Sequence, residues 1–556
     1  MHEDKMKFIR GSFFGRVVYH ITRHKYFGYK EEDLSYLLPS RYYDYYSHNL
    51  NGNFIGQRDE NLKEVQEIEK RYPALCNPIL VDWDGPEDLE NPNNWPFYQK
   101  VIFGFLISFN TFSVYVCSAI YAPAITEVGQ YFGVSQYIAT LPLTTFVIGY
   151  GIGPLLFSPM SENSRFGRNN IYITTMFIYT ILQIPTALSP NISCLCILRF
   201  FGGLFASPFL ATGGASIADV VSLPNIPIGI AFWGIATFLG PAFGPVIGSV
   251  LSVKANWRWI FWYTLISCSF SLLLLIPFLP ETHHKTILRR KAERLRIRSG
   301  NQNIRSGGEL ENIRRNYYQV AADILWRPFA IIFAEPILLV LNLYLLMVYS
   351  MMYLWFAAFP IVFIETYGFT LIEMGVCSTS FLIGVMIAAV IYIPFVYHKY
   401  SKHLGTDIIV EPETFLVGAI FGSIMLPIGA FIFAWTSSAS IHWIFPLAGS
   451  AIFALGAYII FQAFINYLSI SFWGYLASVF AGNGLFKSVV ASCSPLFGLP
   501  LFNHLSIPKF PVAWGATVIG LISLVTVLIP VWIYKQGYKV RTRSKYAGNA
   551  LYDLYS

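Results

Sequence analysis

Apolar runs separated by short polar breaks recur from residue 102 to residue 534 of this chain. About 20 apolar residues in a helix are enough to cross the hydrocarbon core of a bilayer. Twelve such spans are predicted, over 102–122, 137–157, 170–189, 192–216, 226–251, 259–279, 337–364, 371–396, 415–436, 442–465, 474–502 and 512–534. Pro, Gly and Asn interrupt the tenth and eleventh. The pattern predicts an all-α membrane protein in two six-helix halves. Its expected parts are an N-terminal tail (1–100), a first bundle (101–282), a polar linker (283–327), a second bundle (328–535) and a C-terminal tail (536–556).

Composition agrees with this reading. Hydrophobic residues make up 55% of the chain and charged residues only 12%, where a soluble domain carries roughly a quarter charged. The first 100 residues are mixed, charged and Tyr-rich, without the apolar core of a secretory signal, so the first span is expected to act as its own insertion signal. The net charge of +7 reads as topology rather than nucleic-acid binding, because the basic residues are sorted. The N-terminal tail, the loop with Arg165 and Arg168, the linker, Lys399, Lys402 and the C-terminal tail fall on one face. Lys254, Arg258 and Lys509 fall on the other, and Arg199 and Lys487 lie within spans. Short loops rich in Lys and Arg stay cytoplasmic, which places both termini inside. An odd number of spans would break the sorting.

Smaller features add to the map. The linker (HHKTILRRKAERLRIRSGNQNIR) reads as a solvated basic stretch with some helix, a topology determinant or a site for acidic lipid heads. The stretch Lys5–Lys30 interleaves Phe8, Phe13, Phe14, Val17, Val18 and Ile21 with basic residues, as in a helix lying on the inner leaflet or an unstructured tail. The seven cysteines have neither metal-ligand nor disulfide spacing and read as small apolar fillers. No metal site is expected. The sequon at Asn191 lies in a very short outer loop.

Chemistry-bearing residues inside the spans are few. Arg199 lies in span four, where an ionisable side chain is costly and is expected to face the bundle interior or to snorkel outward. Lys487 lies mid-way along span eleven, after Gly482, Asn483 and Gly484. No Asp or Glu lies mid-span. Glu127, Glu365 and Glu373 sit near outer ends, and Asp219 and Glu335 near inner ends, so no carboxylate is placed to carry a proton. In span five, Gly240, Pro241, Gly244, Pro245 and Gly248 combine helix bends with a flat face for close contact. Glu162 and Arg168 in the loop after span two, with Asp219 at the inner end of span four, form a candidate ionic latch. The substrate cavity is expected to be aromatic and sparsely polar, with Tyr349, Tyr353 and Phe356 on one face of span seven. Asn110, Gln462, Asn483 and Lys487 are the further candidates. Such a lining suits bulky, weakly polar or cationic ligands. Any one of these aromatics also fits a packing role.

Pro-x-Phe-Gly occurs in span five (Pro241–Gly244) and again in span eleven (Pro495–Gly498), matching positions if the halves are parallel repeats. Several stretches resemble a known family: VDWDGPEDLENPNNWP, ATLPLTTFVIGYGIGPLLFSPMSE, ILRFFGGLFASPFLATGGASIADVV, NWRWIFW, LPET, SVFAGNG and PVAWG. They resemble the fungal multidrug:proton antiporters of the major facilitator superfamily, twelve-helix branch, and in particular yeast plasma-membrane transporters linked to benomyl and fluconazole resistance. The resemblance runs from about Val81 to Tyr546. It implies the major facilitator fold and a proton-coupling role for Arg199. It also implies an antiporter motif at Gly240, Pro241, Gly244, Pro245 and Gly248, with Ser249 where the motif ends in Gly. The family's loop motif falls on Glu162, Gly167 and Arg168, with two extra residues after the acid, and Asp219 matches the acid that pairs with the loop arginine.

The expected function is proton-coupled export of small lipophilic or cationic compounds by alternating access. The expected transporter is a plasma-membrane monomer, embedded in lipid, with no cofactor and the proton gradient as energy source. A nutrient facilitator on the same fold is the alternative, for which polar groups in the central spans are scarce. A polytopic membrane enzyme is a distant one, since His283-His284 has no evident carboxylate partner.

Overall fold

The computed structural model describes residues 9–33, 36, 42, 78–314, 326, 329–403, 411–472, 476–544 and 547. Parts of the expected tails and linker, including Lys5 and Phe8 of the surface-helix candidate and residues 315–325, lie outside the described residues.

Ten helices among the described residues are long and apolar enough to cross a membrane. They lie on predicted spans one, two and five to twelve: Phe97–Phe132, Gln136–Glu162, Ile226–Lys254, Arg258–Phe278, Pro336–Thr366, Leu371–Ser401, Thr414–Thr436, Ile444–Ser471, Val479–His504 and Ala513–Arg541. Predicted spans three and four are helical too, and their residues explain why they fall short. Span three, Gly167–Ala187, carries Arg168, Asn169, Asn170 and Gln183. Span four divides into Ile192–Ala206, Pro208–Ala211 and Gly213–Ala218. Pro208 opens the second piece, and a proline cannot donate to the preceding turn.

Close helix contacts are made at small residues. Spans two and four touch backbone to backbone, since a side chain on Gly149 would strike the carbonyl of Phe200, and one on Gly203 that of Phe146. Spans nine and ten meet the same way at Gly422, Gly429, Gly449 and Gly456. Without a hydrophobic force between helices in lipid, such close van der Waals contact is what holds them together. Span two packs against span eleven, and span five against span eight, which joins the first six helices to the last six.

The linker is more structured than a solvated basic run. It forms helices His284–Ser299 and Gly307–Arg314, and between them Ile304–Arg305 pairs in parallel with Ile79–Leu80. Lys291 is fully buried, 2.7 Å from Asp84 and 3.7 Å from Asp88. Arg294 reaches Glu31 at 3.4 Å and Glu90 at 3.7 Å. The acids of VDWDGPEDLE and of the N-terminal segment supply the partners that make this burial tolerable. Burial alone would lower the Lys291 ammonium; the hydrogen bond and charge of Asp84 raise it above its ordinary value.

Residues Phe13–Ile21 form a helix capped by Ser12. Tyr19 is buried, and Arg16 donates to Asn170 Oδ1 at 2.8 Å, at the start of span three. Phe13, Phe14, Val17 and Ile21 stay exposed. An apolar stripe beside the end of a spanning helix suits a helix lying in the membrane interface.

Candidate functional site

Span four brings Arg199 into the interior, where it is 3% exposed. Its Nε donates to the carbonyl of Pro142 at 3.3 Å and Nη1 to that of Cys117 at 3.2 Å. Its guanidinium lies 4.2 Å from the ring centroid of Phe146, with Tyr121 and Phe261 near 6 Å. Nη2 finds no partner among the described residues. The Pro142 carbonyl accepts from Arg199 and, at 3.3 Å, from the hydroxyl of Thr145. The arginine thus ties spans one, two and four together without a carboxylate.

The glycine–proline segment of span five lies against span one. A side chain on Gly240 would run into Tyr115 and Val116, one on Gly244 into Ala119 and Ile120, and one on Gly248 into Ile120. Pro241 and Pro245 lie inside the same continuous helix, Ile226–Lys254. Ser249, which stands where the resemblance expects Gly, faces Gly375 of span eight together with the Pro245 carbonyl. The segment is a seam on two sides, toward its own half and toward the other.

A small cavity lies between the halves, lined by Tyr150, Pro154, Trp233, Phe461, Ile465, Phe480, Asn483, Gly484 and Lys487. The halves also meet on either side of it, Ser249 at Gly375 toward one end of the helices and Leu223–Asn225 near Tyr397–Ser401 toward the other. Lys487 places its Nζ 4.7 Å from the ring centroids of both Tyr349 and Phe461. Asn483, one turn earlier, donates to Asn342 Oδ1 at 2.7 Å. The Tyr115 and Tyr150 rings meet edge-on at 5.8 Å.

The other cavity candidates are distributed differently. Tyr353 meets Phe356 at 6.2 Å, and Phe356 stacks on Phe381 of span eight, away from Lys487. Asn110 is fully buried and returns its amide to the carbonyl of Leu106 in its own helix. Gln462 is buried against Gly234 of span five. Asn110, Tyr353, Phe356 and Gln462 therefore stand outside the lining of the Lys487 cavity, and Tyr349 borders it only through its ring against the lysine. Phe461 and Trp233 line it instead, and sequence reading named neither, since helical spacing does not tell which of two neighbouring aromatics turns inward.

At the linker end, Arg168 and Asp219 form a close pair, Nε to Oδ2 at 2.6 Å and Nη2 to Oδ1 at 3.1 Å. Arg168 is almost fully buried. Glu162 ends span two on the exposed surface, within electrostatic reach of Arg168. Gly167 takes a left-handed backbone (φ +73°) and leaves room for the carboxylate of Glu281. That carboxylate accepts from the Arg168 backbone N–H at 2.9 Å and from that of His283 at 3.2 Å. Glu281 is a member of this cluster that charge patterning passed over; its signal was the motif LPET. Burial, together with the positive charges of Arg168 and Lys285, pushes the His283 imidazole down to about 3, so it serves as a neutral partner to Thr286.

Residues 107–495 match the family model of the Major Facilitator Superfamily. The chain belongs to that superfamily. It is 47% identical to a cycloheximide resistance protein of Candida maltosa, over 97% of this chain and 99% of that one. It is 39% identical to a multidrug transporter of Candida glabrata (89% and 83% covered) and 37% identical to fluconazole resistance protein 1 of Saccharomyces cerevisiae (86% and 85%). The fold is shared with the proton:xylose symporter XylE, at a TM-score of 0.52 and 14% identity, covering 79% of this chain and 96% of the other. The human organic anion transporter MFSD10 gives 0.50 and 14%, with 80% and 100% covered. As a member of this superfamily the chain is a multi-pass membrane transporter.

Proposed function

We propose that this protein is a proton-coupled exporter of small lipophilic or cationic compounds, working by alternating access across the plasma membrane with both termini in the cytoplasm. The observation that carries the reading is the cavity between the halves, walled by aromatic rings and holding one amide and one ammonium. Rings offer large apolar area and bind cations face-on; a sugar site would need more convergent hydrogen-bonding groups. Relatives named for multidrug, fluconazole and cycloheximide resistance support the substrate class. The superfamily needs no cofactor for this, and the proton gradient supplies the energy.

In this reading Arg199 serves proton coupling as a fixed positive charge, tying spans one, two and four together and tuning the proton site rather than carrying the proton itself. The glycine–proline seam of span five keeps the first half leak-tight while the halves rock. The Arg168–Asp219 pair, with Glu162, Gly167 and Glu281, latches the inner ends in one of the two states.

Cells expressing the protein should lose a fluorescent lipophilic dye by a route that a protonophore abolishes. Arg199→Ala should reach the surface and cut that efflux about tenfold or more, since the charge would be gone from an interior built around it. Protonophore-insensitive efflux, or full efflux by Arg199→Ala, would contradict the reading.

A further inference from the structure

A proton-coupled exchanger needs a group that can release and retake a proton beside its substrate. Among the described residues no Asp or Glu lines the cavity. Arg199 is unsuited, because a guanidinium keeps its proton throughout. Lys487 is different in kind: an ammonium can lose its proton and leave a neutral amine.

Its surroundings are specific. Span seven presents the phenol ring of Tyr349 to it and span ten the rings of Phe461 and the side chain of Ile465. Span two contributes Tyr150 and Pro154, span five Trp233, and its own helix Phe480 and Asn483. The titratable groups facing it are therefore the two tyrosines, with Tyr115 behind them at Tyr150. No ion pair reaches it among the described residues, unlike Lys285 and Lys291 in the linker. The ammonium thus depends on ring faces alone, and two aromatic faces around a cation are also how a protein binds an organic cation.

We propose that Lys487 is the exchange site, its ammonium filling the aromatic box that a cationic substrate must fill, so that the cation enters as the lysine gives up its proton. This rests on the exporter reading above and names the proton-carrying group within it. The balance closes without another reactant. In the inward-facing state Lys487 releases one proton to the cytoplasm as a neutral amine and the box takes one monovalent cation. In the outward-facing state the cation leaves and the amine takes one proton from outside. The charge in the box is the same in both loaded states, so the exchange is electroneutral and follows the pH difference rather than the voltage.

The test uses full-length purified protein and tetraphenylphosphonium. Binding is measured by titration calorimetry in two buffers of different ionisation enthalpy near neutral pH, which counts the protons released per cation. Wild type should release protons in step with binding, up to one for each cation bound and more fully at the acidic end of the range, by linkage. Lys487→Gln should still bind but release none. Lys487→Arg, which keeps a charge it cannot shed, should bind at least about tenfold more weakly. Monodisperse elution and helical circular dichroism of both variants keep an unfolded protein from being read as lost binding or lost proton release. Wild-type binding without proton release, or equal release from Lys487→Gln, overturns the exchange role while leaving the exporter reading intact. A folded wild type that binds no cation overturns the cationic substrate class itself, and the exchange with it.

Discussion

At the residue scale, the pair Arg168–Asp219 shows why burial decides what an ion pair is worth. An exposed pair contributes about 0–1 kcal/mol. Here Arg168 is 7% exposed and makes two contacts to one carboxylate. Removing one partner of a buried pair costs about 3–5 kcal/mol, because the other charge is left unpaired out of water. Asp219→Ala should therefore lower the thermal stability of the purified protein markedly, while Arg168→Ala/Asp219→Ala should lose much less than the two single changes added. Additive losses would show that the pair does not act as a unit. Both residues were legible from charge at predicted span ends. Glu281 was not, because its function depends on the left-handed turn at Gly167, which brings the start of span three against the linker.

At the scale of the helix, apolar length identified the elements well and their interruptions less well. Ten spans satisfy length and hydropathy because their apolar content is high all round, as lipid requires. Span three fell short of that criterion because it carries Arg168, Asn169, Asn170 and Gln183, and the helix holds Asn169 and Gln183 buried. The break in span four at Ser207–Pro208 follows from proline chemistry, though sequence alone gave a single run. The seam of span five follows from its glycines. Gly240→Leu should force spans one and five apart, since four added carbons have no space beside Tyr115, and overpacking of this kind costs about 1–3 kcal/mol. Export should fall and ion leak rise in a variant that still reaches the surface. Unchanged transport by Gly240→Leu would mean that the seam is not tight in the working protein.

At the scale of the whole molecule, the proposed function rests on the two halves and the cavity between them, and this was the least legible level. Charge sorting predicted orientation, and the resemblance predicted the superfamily. Neither could say that Lys487, Phe461, Tyr150 and Trp233, from four separate helices, converge on one space. Such convergence is a property of packing: it depends on which face each helix turns to its neighbour, and a helix apolar on all faces gives no periodicity to reveal this. The same holds for the linker, whose basic residues looked solvated until the acids of residues 82–90 came to lie beside them.

The most direct test of proton-coupled transport is uptake of a fluorescent organic cation, ethidium, into proteoliposomes of the purified protein with an acidic interior. The account predicts accumulation against the ethidium gradient that follows the imposed pH difference and vanishes when a protonophore collapses it. Uptake that only equilibrates ethidium across the membrane, at the same rate with and without the pH difference, would contradict it and make the protein a facilitator.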